Sequence, residues 1–227
     1  MTPPKICYLI ASAPRSGSHL LSTLMGSTGL AGRPEEHFNP WHMGLATNNF
    51  PHDLIIQPEY VQDLIEKTTT PNGVFGTKAQ FTQVSNFVGM QRLESLFPIP
   101  LKYLYIQRKD NLRQAVSMAR AIQSNRWTSD EVEQGELYYD DHIIGQCLRE
   151  IAIQEKGWEM HFYQNEIEPF RIIYEEFFPD PAPVIRAALE WLEIEVPAGF
   201  DVRAPRLKKQ ADDLNEQWVK EYLSRRS

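Results

Sequence analysis

Short runs of β-branched and aromatic residues recur along the chain, and segments with helical spacing separate them. Such runs predict β-strands when polar or turn-forming residues bound them. The four predicted strands are Ile6–Ala11, Val74–Thr77, Lys102–Gln107 and Arg171–Tyr174.

Apolar residues spaced three and four positions apart predict helices between and after these strands. The predicted helices are His19–Thr28, Pro58–Lys67, Asp110–Gln123, His142–Gln164, Pro181–Glu193 and Gln210–Arg225. Strands that alternate with helices indicate an α/β fold, with a mostly parallel sheet flanked by helices. We see no break in composition, so we expect residues 1–227 to form a single domain.

Two segments interrupt this alternation and are predicted to be long loops. Residues 33–57 contain several prolines and a pair of asparagines, and residues 124–141 are polar and acidic with embedded aromatic residues. Long loops on a rigid sheet are where binding specificity tends to lie. We therefore interpret both segments as excursions that contact an acceptor molecule.

The bulk composition is that of a globular protein, with 42% hydrophobic and 23% charged residues. A formal net charge of −7 argues against a broad nucleic-acid surface, so a basic cluster is expected to face a local anion. Cys7 and Cys147 lack metal-ligand spacing and are interpreted as buried apolar residues. No apolar run approaches the roughly 20 residues of a membrane span. We expect a protein that does not span a membrane and lies in the cytoplasm.

The segment SAPRSGS, residues 12–18, joins the first predicted strand to the first predicted helix. Ligands collect at this end of strands in open α/β sheets, and backbone N–H groups at a helix start bind anions. Compared with the P-loop of ATPases, Ser18 replaces the lysine and His19 replaces the magnesium-binding hydroxyl residue. These replacements argue against a nucleoside triphosphatase or an ordinary kinase. Arg15 remains as a cation for an anion, unless the segment is only a turn without a ligand.

Six segments, in chain order, resemble the sulfotransferases that use 3′-phosphoadenosine 5′-phosphosulfate (PAPS), most closely the bacterial trehalose 2-sulfotransferase family. They are SAPRSGSHLL, TGLAGRPEEHFNP, VFGTKAQF, YIQRKDNLRQAVSMARA, IIYEEFFPDP and LKKQADDLNEQW. The resemblance implies a P-loop-like sulfotransferase fold, PAPS as the donor, no metal, and a homodimer. It also implies that the donor's 5′-phosphosulfate is bound by Arg15, Ser16, Gly17, Ser18 and His19, although His19 stands where threonine is usual.

The resemblance also implies a second anion site, for the 3′-phosphate of the donor, at Arg108 and Ser117. An arginine at a strand end and a hydroxyl on the next helix are able to share one phosphate. Lys109 is the alternative cation, because the spacing from Arg108 to Ser117 is one residue longer than the arginine-to-serine spacing that is usual in sulfotransferases. The alternative is that Arg108 and Asp110 form a surface ion pair and that Ser117 faces solvent without a ligand. Arg206, in the basic segment RAPRLKKQ, is a further candidate for donor binding.

Sulfuryl transfer to a hydroxyl needs a base and a cation near the reacting atoms. The resemblance assigns the base to Glu36, which follows Pro34 in a Gly-x-Pro-x-Glu pattern, and we assign to Lys78 the stabilisation of the transferring group. His37 is an alternative base or a packing residue. Alternatively, Glu35 and Glu36 are both ordinary surface residues of the loop.

The acceptor is expected to be a carbohydrate or a glycolipid. Aromatic faces stack on sugar C–H surfaces, so Trp127 and Tyr139 are candidate contacts, together with Glu35 and His37 beside the proposed base. Two other functions stay open at this point. The chain could be a P-loop-like small-molecule kinase, or a protein that binds a nucleotide or a sugar without catalysis.

Overall fold

The computed structural model describes residues 3–39, 56–128, 131–197, 199–200 and 213–226. Within them, four strands form one parallel sheet in the order β2-β1-β3-β4. The strands are β1 (Ile6–Ser12), β2 (Val74–Gln80), β3 (Leu101–Gln107) and β4 (Phe170–Ile173). All four predicted strands are thereby confirmed, except that Tyr174 opens a helix instead of ending a strand.

Eight α-helices accompany the sheet in the described part of the chain. They are α1 (Ser18–Ser27), α2 (Pro58–Thr68), α3 (Phe81–Phe87), α4 (Asn111–Ser124), α5 (Asp141–Gln164), α6 (Tyr174–Phe177), α7 (Pro181–Trp191) and α8 (Asp213–Ser224). The six predicted helices are present within a few residues of their expected bounds. The short helices α3 and α6 were not predicted, because each follows directly from a strand and offers no helical repeat to detect. Among the described helices, none is both long and apolar enough to cross a bilayer.

Helices cover both faces of the sheet, because alternate strand residues point to opposite sides. Tyr8 and Ile10 of β1 pack with α1 and α7 on one face. Leu9 of β1 and Tyr103 of β3 pack with α2, α3 and α5 on the other. A third apolar cluster joins α4, α5 and α8. These layers hold the four strand ends in a fixed arrangement.

The end of β1 is held in place by Trp158 of α5. The indole is fully buried, and its Nε1–H donates to the carbonyl oxygen of Ser12 at 3.1 Å. The neighbouring Gly157 allows the ring of Phe81 to pack closely, since a Cβ at that position would lie 2.5 Å from the ring. The long helix α5 therefore fixes the point at which the chain leaves the sheet toward α1.

The strand order places a topological switch between β1 and β3. The chain leaves β1 toward β2 on one side, and it leaves β3 toward β4 on the other. Ligands of open α/β sheets bind in the crevice that such a switch opens at the carboxyl ends of the strands. The loops that follow β1 and β3 border this crevice.

Candidate active site

The loop after β1 turns sharply by means of two residues with positive φ. Arg15 has φ 60° and Gly17, the N-cap of α1, has φ 93°. Gly17 also lies against the ring of Tyr174, so that a Cβ there would be 2.3 Å from a ring carbon. The backbone conformation and the ring together require glycine. Alternating turn conformations of this kind turn backbone N–H groups toward one concavity, which suits an anion.

The other three residues of the candidate loop, Ser16, Ser18 and His19, differ in exposure. Ser16 is buried, and its Oγ has no hydrogen-bond partner among the described residues. Ser18, the first residue of α1, is also buried, whereas His19 is exposed. A buried hydroxyl without a partner costs free energy unless a ligand satisfies it. Ser16 is thus the residue of this loop whose side chain most needs a ligand.

Arg15 reaches away from its own loop to the neighbouring helix α4. Its Nε–H donates to Ser117 Oγ at 3.0 Å, and a terminal guanidinium nitrogen donates to the carbonyl oxygen of Trp127. The pKa of Arg15 is lowered to about 10, first because the guanidinium is buried and then because Arg108 places a second positive charge nearby. The two arginines expected to bind the donor therefore lie close enough to repel each other.

Arg108 is turned inward at the end of β3, whereas Lys109 is turned outward. The Arg108 side chain is 11% exposed and its guanidinium carbon lies 5.0 Å from the centre of the Tyr174 ring. Its Nε is buried and makes no hydrogen bond within the described part of the chain, although it lies 3.6 Å from Glu175 Oε1. The Lys109 side chain is 61% exposed and pairs with Glu176 at 2.5 Å. Of the two cations, Arg108 is the one that lies over the Tyr174 ring, and the same ring adjoins Gly17.

Glu175 fixes the turn between β3 and α4. Its carboxylate accepts from the backbone N–H groups of Lys109, at 3.0 Å, and Asp110, at 3.3 Å. Because Tyr174 and Glu175 are adjacent at the end of β4, the same short segment supports both candidate anion loops. Their common support fixes Gly17 relative to Arg108.

A second group of candidate residues is assembled along the outer edge of β2. The Lys78 backbone N–H donates to the Glu35 carbonyl oxygen at 2.9 Å, so the loop follows the strand. Gly32 has φ 72°, and a Cβ there would lie 2.8 Å from the backbone nitrogen of Gly76. A side chain at Gly32 would push the loop off the strand. This close approach sets the position of Glu36 over β2.

Glu36 and Lys78 form a largely buried ion pair. Lys78 Nζ lies 2.8 Å from Glu36 Oε1, and the two side chains are 6% and 17% exposed. The other oxygen, Oε2, accepts from Asn39 at 3.0 Å and from Gln83 at 3.2 Å. Burial alone would raise the pKa of Glu36, but the charge and hydrogen bond of Lys78, with the two amide donors, lower it to about 2. The Glu36 carboxylate is therefore ionised, and both of its oxygens are bonded.

The residues on either side of Glu36 point in other directions. Glu35 is exposed. His37 is buried, its Nδ1 lies 3.1 Å from Thr77 Oγ1, and its ring stacks on Phe75. His37 is therefore held in the core beside the sheet. The side chain that pairs with the Lys78 ammonium group is that of Glu36.

A comparison with protein families identifies the architecture. The model of the Stf0 sulphotransferase family matches residues 7–225. The chain belongs to the Stf0 sulphotransferase family. Membership makes the fold a P-loop-like sulfotransferase fold and indicates an enzyme that transfers a sulfuryl group.

Individual relatives agree with the family match. A trehalose 2-sulfotransferase of Mycolicibacterium smegmatis is 28% identical, over 95% of this chain and 93% of the relative. One from Mycobacterium tuberculosis is 25% identical over the same shares. Among solved structures, a sulfotransferase from Alicyclobacillus acidocaldarius has a TM-score of 0.58 at 16% identity, covering 99% of this chain and 93% of its own. At that identity the likeness shows the fold.

The residues expected to contact an acceptor do not form one group in this Stf0 chain. Trp127 is 42% exposed and lies beside Arg15 through its carbonyl oxygen. The Tyr139 ring instead packs edge-on against Trp218 and lies under the guanidinium of Arg225, both in or near α8. Arg206 lies outside the described residues, as do parts of the two excursions, residues 40–55 and 129–130.

Gln83 contacts the candidate base although no sequence signal singled it out. It lies in α3, where Gln80 is the N-cap and the two glutamines form a capping box. Such boxes usually begin with Ser or Thr, so a Gln-x-x-Gln pattern is easily overlooked. The signal that was available is the Gln-x-x-Gln pattern at Gln80 and Gln83, which begins three residues beyond the predicted end of the strand at Thr77. No cluster of three or more possible metal-binding side chains occurs in the described ranges.

Proposed function

We propose that this chain, as a single domain, transfers a sulfuryl group from PAPS to a hydroxyl group of a carbohydrate or glycolipid acceptor, by in-line displacement. One observation carries the proposal. Two arginines from different strand ends, Arg15 and Arg108, lie close together at one crevice, and the charge of Arg108 adds to burial in lowering the pKa of Arg15 to about 10. An anion with two negative groups would relieve that repulsion.

The residues at the crevice fit a donor of this kind. Ser16 Oγ and Arg108 Nε are buried N–H and O–H donors without hydrogen-bond partners in the described part of the chain. We assign Ser16, Gly17 and Ser18, at the positive end of α1, to the 5′-phosphosulfate, with His19 at the rim. Arg108 and Ser117 are assigned to the 3′-phosphate, and Arg15, whose Nε–H donates to Ser117 Oγ, remains assigned to the 5′-phosphosulfate. The donor would supply an activated sulfonate, and the pair on β2 would serve the acceptor.

Glu36 is proposed to take the proton of the acceptor hydroxyl, and Lys78 to stabilise negative charge on the transferring group. A carboxylate with a pKa of about 2 is a weak base while Lys78 is bonded to it. Any negative group that draws Lys78 away weakens this hold, and burial then raises the pKa of Glu36. The ion pair therefore suits a base that becomes effective only when Lys78 is engaged elsewhere.

The choice of acceptor follows the relatives, which are named trehalose 2-sulfotransferases. Trehalose is therefore the first acceptor to assay, followed by glycolipids. We propose that Trp127 stacks on the sugar, since this residue is 42% exposed and its carbonyl oxygen accepts a hydrogen bond from Arg15. Glu35 and His37 remain predicted acceptor contacts, as does Tyr139, whose ring is used for packing. The homodimer and the cytoplasmic location also remain predictions.

Calorimetry with 3′-phosphoadenosine 5′-phosphate, followed by a mass-spectrometric transfer assay, tests this function. We expect metal-free binding of this product, and the addition of one SO₃ to trehalose or a glycolipid when PAPS is present. Preference for Mg-ATP with phosphate transfer would instead support a kinase. Binding without turnover on any acceptor in a broad glycan panel would support a non-catalytic binding protein.

A further inference from the structure

The N-terminus of α3 lies directly after β2, close to the Glu36–Lys78 pair. Gln80 is both the last residue of β2 and the N-cap of α3. Its backbone N–H donates to Gln83 Oε1 at 2.9 Å, while its side chain accepts from the backbone N–H of Gln83. These two reciprocal bonds form a capping box, which satisfies backbone donors at the helix start.

The capping box determines how the Gln83 amide is oriented. Because Oε1 faces a backbone N–H, the amide nitrogen must point the other way, and it donates to Glu36 Oε2 at 3.2 Å. The side chain is buried, at 8% exposure. A glutamate would satisfy the helix cap equally well but would bring a second carboxylate against Glu36. Only an amide meets both neighbours.

Gln83 differs from the other groups that hold Glu36. Lys78 bonds to Oε1, and Asn39 bonds to Oε2 from the same loop as Glu36, so it is able to move with that loop. Gln83 bonds to Oε2 from a capped helix that continues the strand carrying Lys78. Lys78 and Gln83 therefore grip the two carboxylate oxygens from one continuous β2–α3 segment. Of the neighbours along the chain, His37 turns to Thr77 and Glu35 is exposed.

We propose that Gln83 is a positioning residue for sulfuryl transfer, holding Glu36 at the edge of β2 through the N-terminal cap of α3. The proposal rests on the proposed role of Glu36 as the base. The Gln83 side chain bonds to Glu36 and to the helix cap, and acts through the orientation of the carboxylate. The residues that position the proposed base then include Gln83 on α3, the helix that follows β2 and Lys78, in addition to the loop motif that contains Glu36.

Three variants separate positioning from helix stability. Gln83→Met removes both the bond to Glu36 and the cap acceptor, and is expected to lower kcat about 10-fold or more, with donor affinity unchanged, because a hydrogen bond to a charged group is lost. Gln80→Ala removes the other half of the capping box and leaves the Glu36 contact. It is expected to lower Tm by about 2–4 °C with kcat within about 2-fold of wild type. Gln83→Glu restores the cap acceptor but should not restore kcat.

Two results of these kinetics would overturn the proposal. One is wild-type kcat in Gln83→Glu, which would mean that only the cap matters. The other is a loss of kcat in Gln80→Ala as large as that in Gln83→Met, which would mean that helix stability accounts for the effect.

A titration of the Glu36 carboxyl by carbon NMR tests the same contact without turnover. In a Lys78→Met background the cation is gone and burial raises the pKa of Glu36 into an accessible range. Adding Gln83→Met is expected to raise that pKa by about one further unit. An unchanged pKa would refute the contact. If the pKa rises as expected but the wild-type protein transfers no sulfuryl group, the proposed function is refuted and the contact between Gln83 and Glu36 is still supported.

Discussion

The two halves of the candidate site satisfy their charges in opposite ways. Around β1 and β3, Arg15 and Arg108 lie together, and buried donors such as Ser16 Oγ lack partners among the described residues. Along β2, Glu36 and Lys78 neutralise each other and both carboxylate oxygens are bonded. An added anion would stabilise the first half, whereas the charges and hydrogen bonds of Glu36 and Lys78 in the second half are already satisfied within the protein.

This difference assigns different energetic roles to the two halves. Binding an anion between the arginines replaces repulsion with attraction, so the first half is expected to provide affinity. The second half holds the proposed base, Glu36, at a low pKa, so we expect a substrate to disturb the ion pair before Glu36 accepts a proton. Variants in the first half should therefore change binding, and variants in the second should change stability and rate together.

The largest effect is expected for Lys78→Met, which leaves Glu36 largely buried without its cation. We expect the free energy of unfolding to fall by about 3 kcal/mol and kcat to fall by about 10²–10³-fold. Urea unfolding and initial rates measure the two quantities. As a control, Lys78→Met combined with Glu36→Gln should regain most of the stability and remain inactive. A single variant as stable as wild type would contradict the importance of the pair.

The next effect concerns pH, through the low pKa of Glu36. This pKa is about 2 in the folded chain, below its ordinary value of 4.5, so the carboxylate stabilises the fold above pH 4.5. That contribution, up to about 3 kcal/mol, is lost as the pH falls from 4.5 toward 2. Glu36→Gln should therefore flatten the dependence of unfolding free energy on pH in this range, measured by urea unfolding. As a control, Glu35→Gln, at the exposed neighbouring residue, should keep the wild-type dependence of unfolding free energy on pH. If wild type and Glu36→Gln show the same dependence, the ion pair is refuted.

A smaller effect, on the binding of the donor product, is expected when Arg108, which points inward, is compared with Lys109, which points outward. Arg108→Ala should weaken the binding of 3′-phosphoadenosine 5′-phosphate about 10- to 100-fold, because charge-assisted hydrogen bonds are lost. Lys109→Ala should change it by less than about 3-fold, since that side chain is exposed and paired with Glu176. Calorimetry measures both. The reverse order of effects would assign the second anion site to Lys109.

The smallest effect is expected for Ser16→Ala. Because Ser16 Oγ has no partner in the described structure, its removal should leave Tm unchanged or slightly higher and weaken the donor product about 5-fold. Ser22→Ala is the matched control on α1, since that hydroxyl donates to the His19 carbonyl oxygen. The control should leave product affinity at the wild-type value. Equal affinities of wild type and Ser16→Ala would remove Ser16 from the donor loop.

Much of the fold could be predicted from local patterns. The four strands and six of the helices follow from apolar spacing, and the glycine turn after β1 follows from its sequence. The helix α3 could not be predicted this way because it is short and continues from β2 without a break. Its residue Gln83 acquires a role only from Glu36, 47 residues earlier in the chain.

The acceptor side shows a similar limit. Trp127 and Tyr139 belong to one polar segment and have the same chemical character, so the sequence gives no reason to treat them differently. The structure separates them, because Tyr139 packs against Trp218 and Arg225, whereas Trp127 lies beside Arg15. The packing of α8, far along the chain, makes this difference.

The sequence by itself determined the alternation of strands and helices, the glycine turn at Gly17 and the resemblance that led to the sulfotransferase family. Only the tertiary structure decided that Arg15 and Arg108 share one crevice, that Arg108 faces inward instead of Lys109, and that Glu36 is held by Lys78 and Gln83. The physical reason is that secondary structure follows from neighbours along the chain. Burial, repulsion and hydrogen bonding between side chains depend on which strand ends the packed sheet brings together.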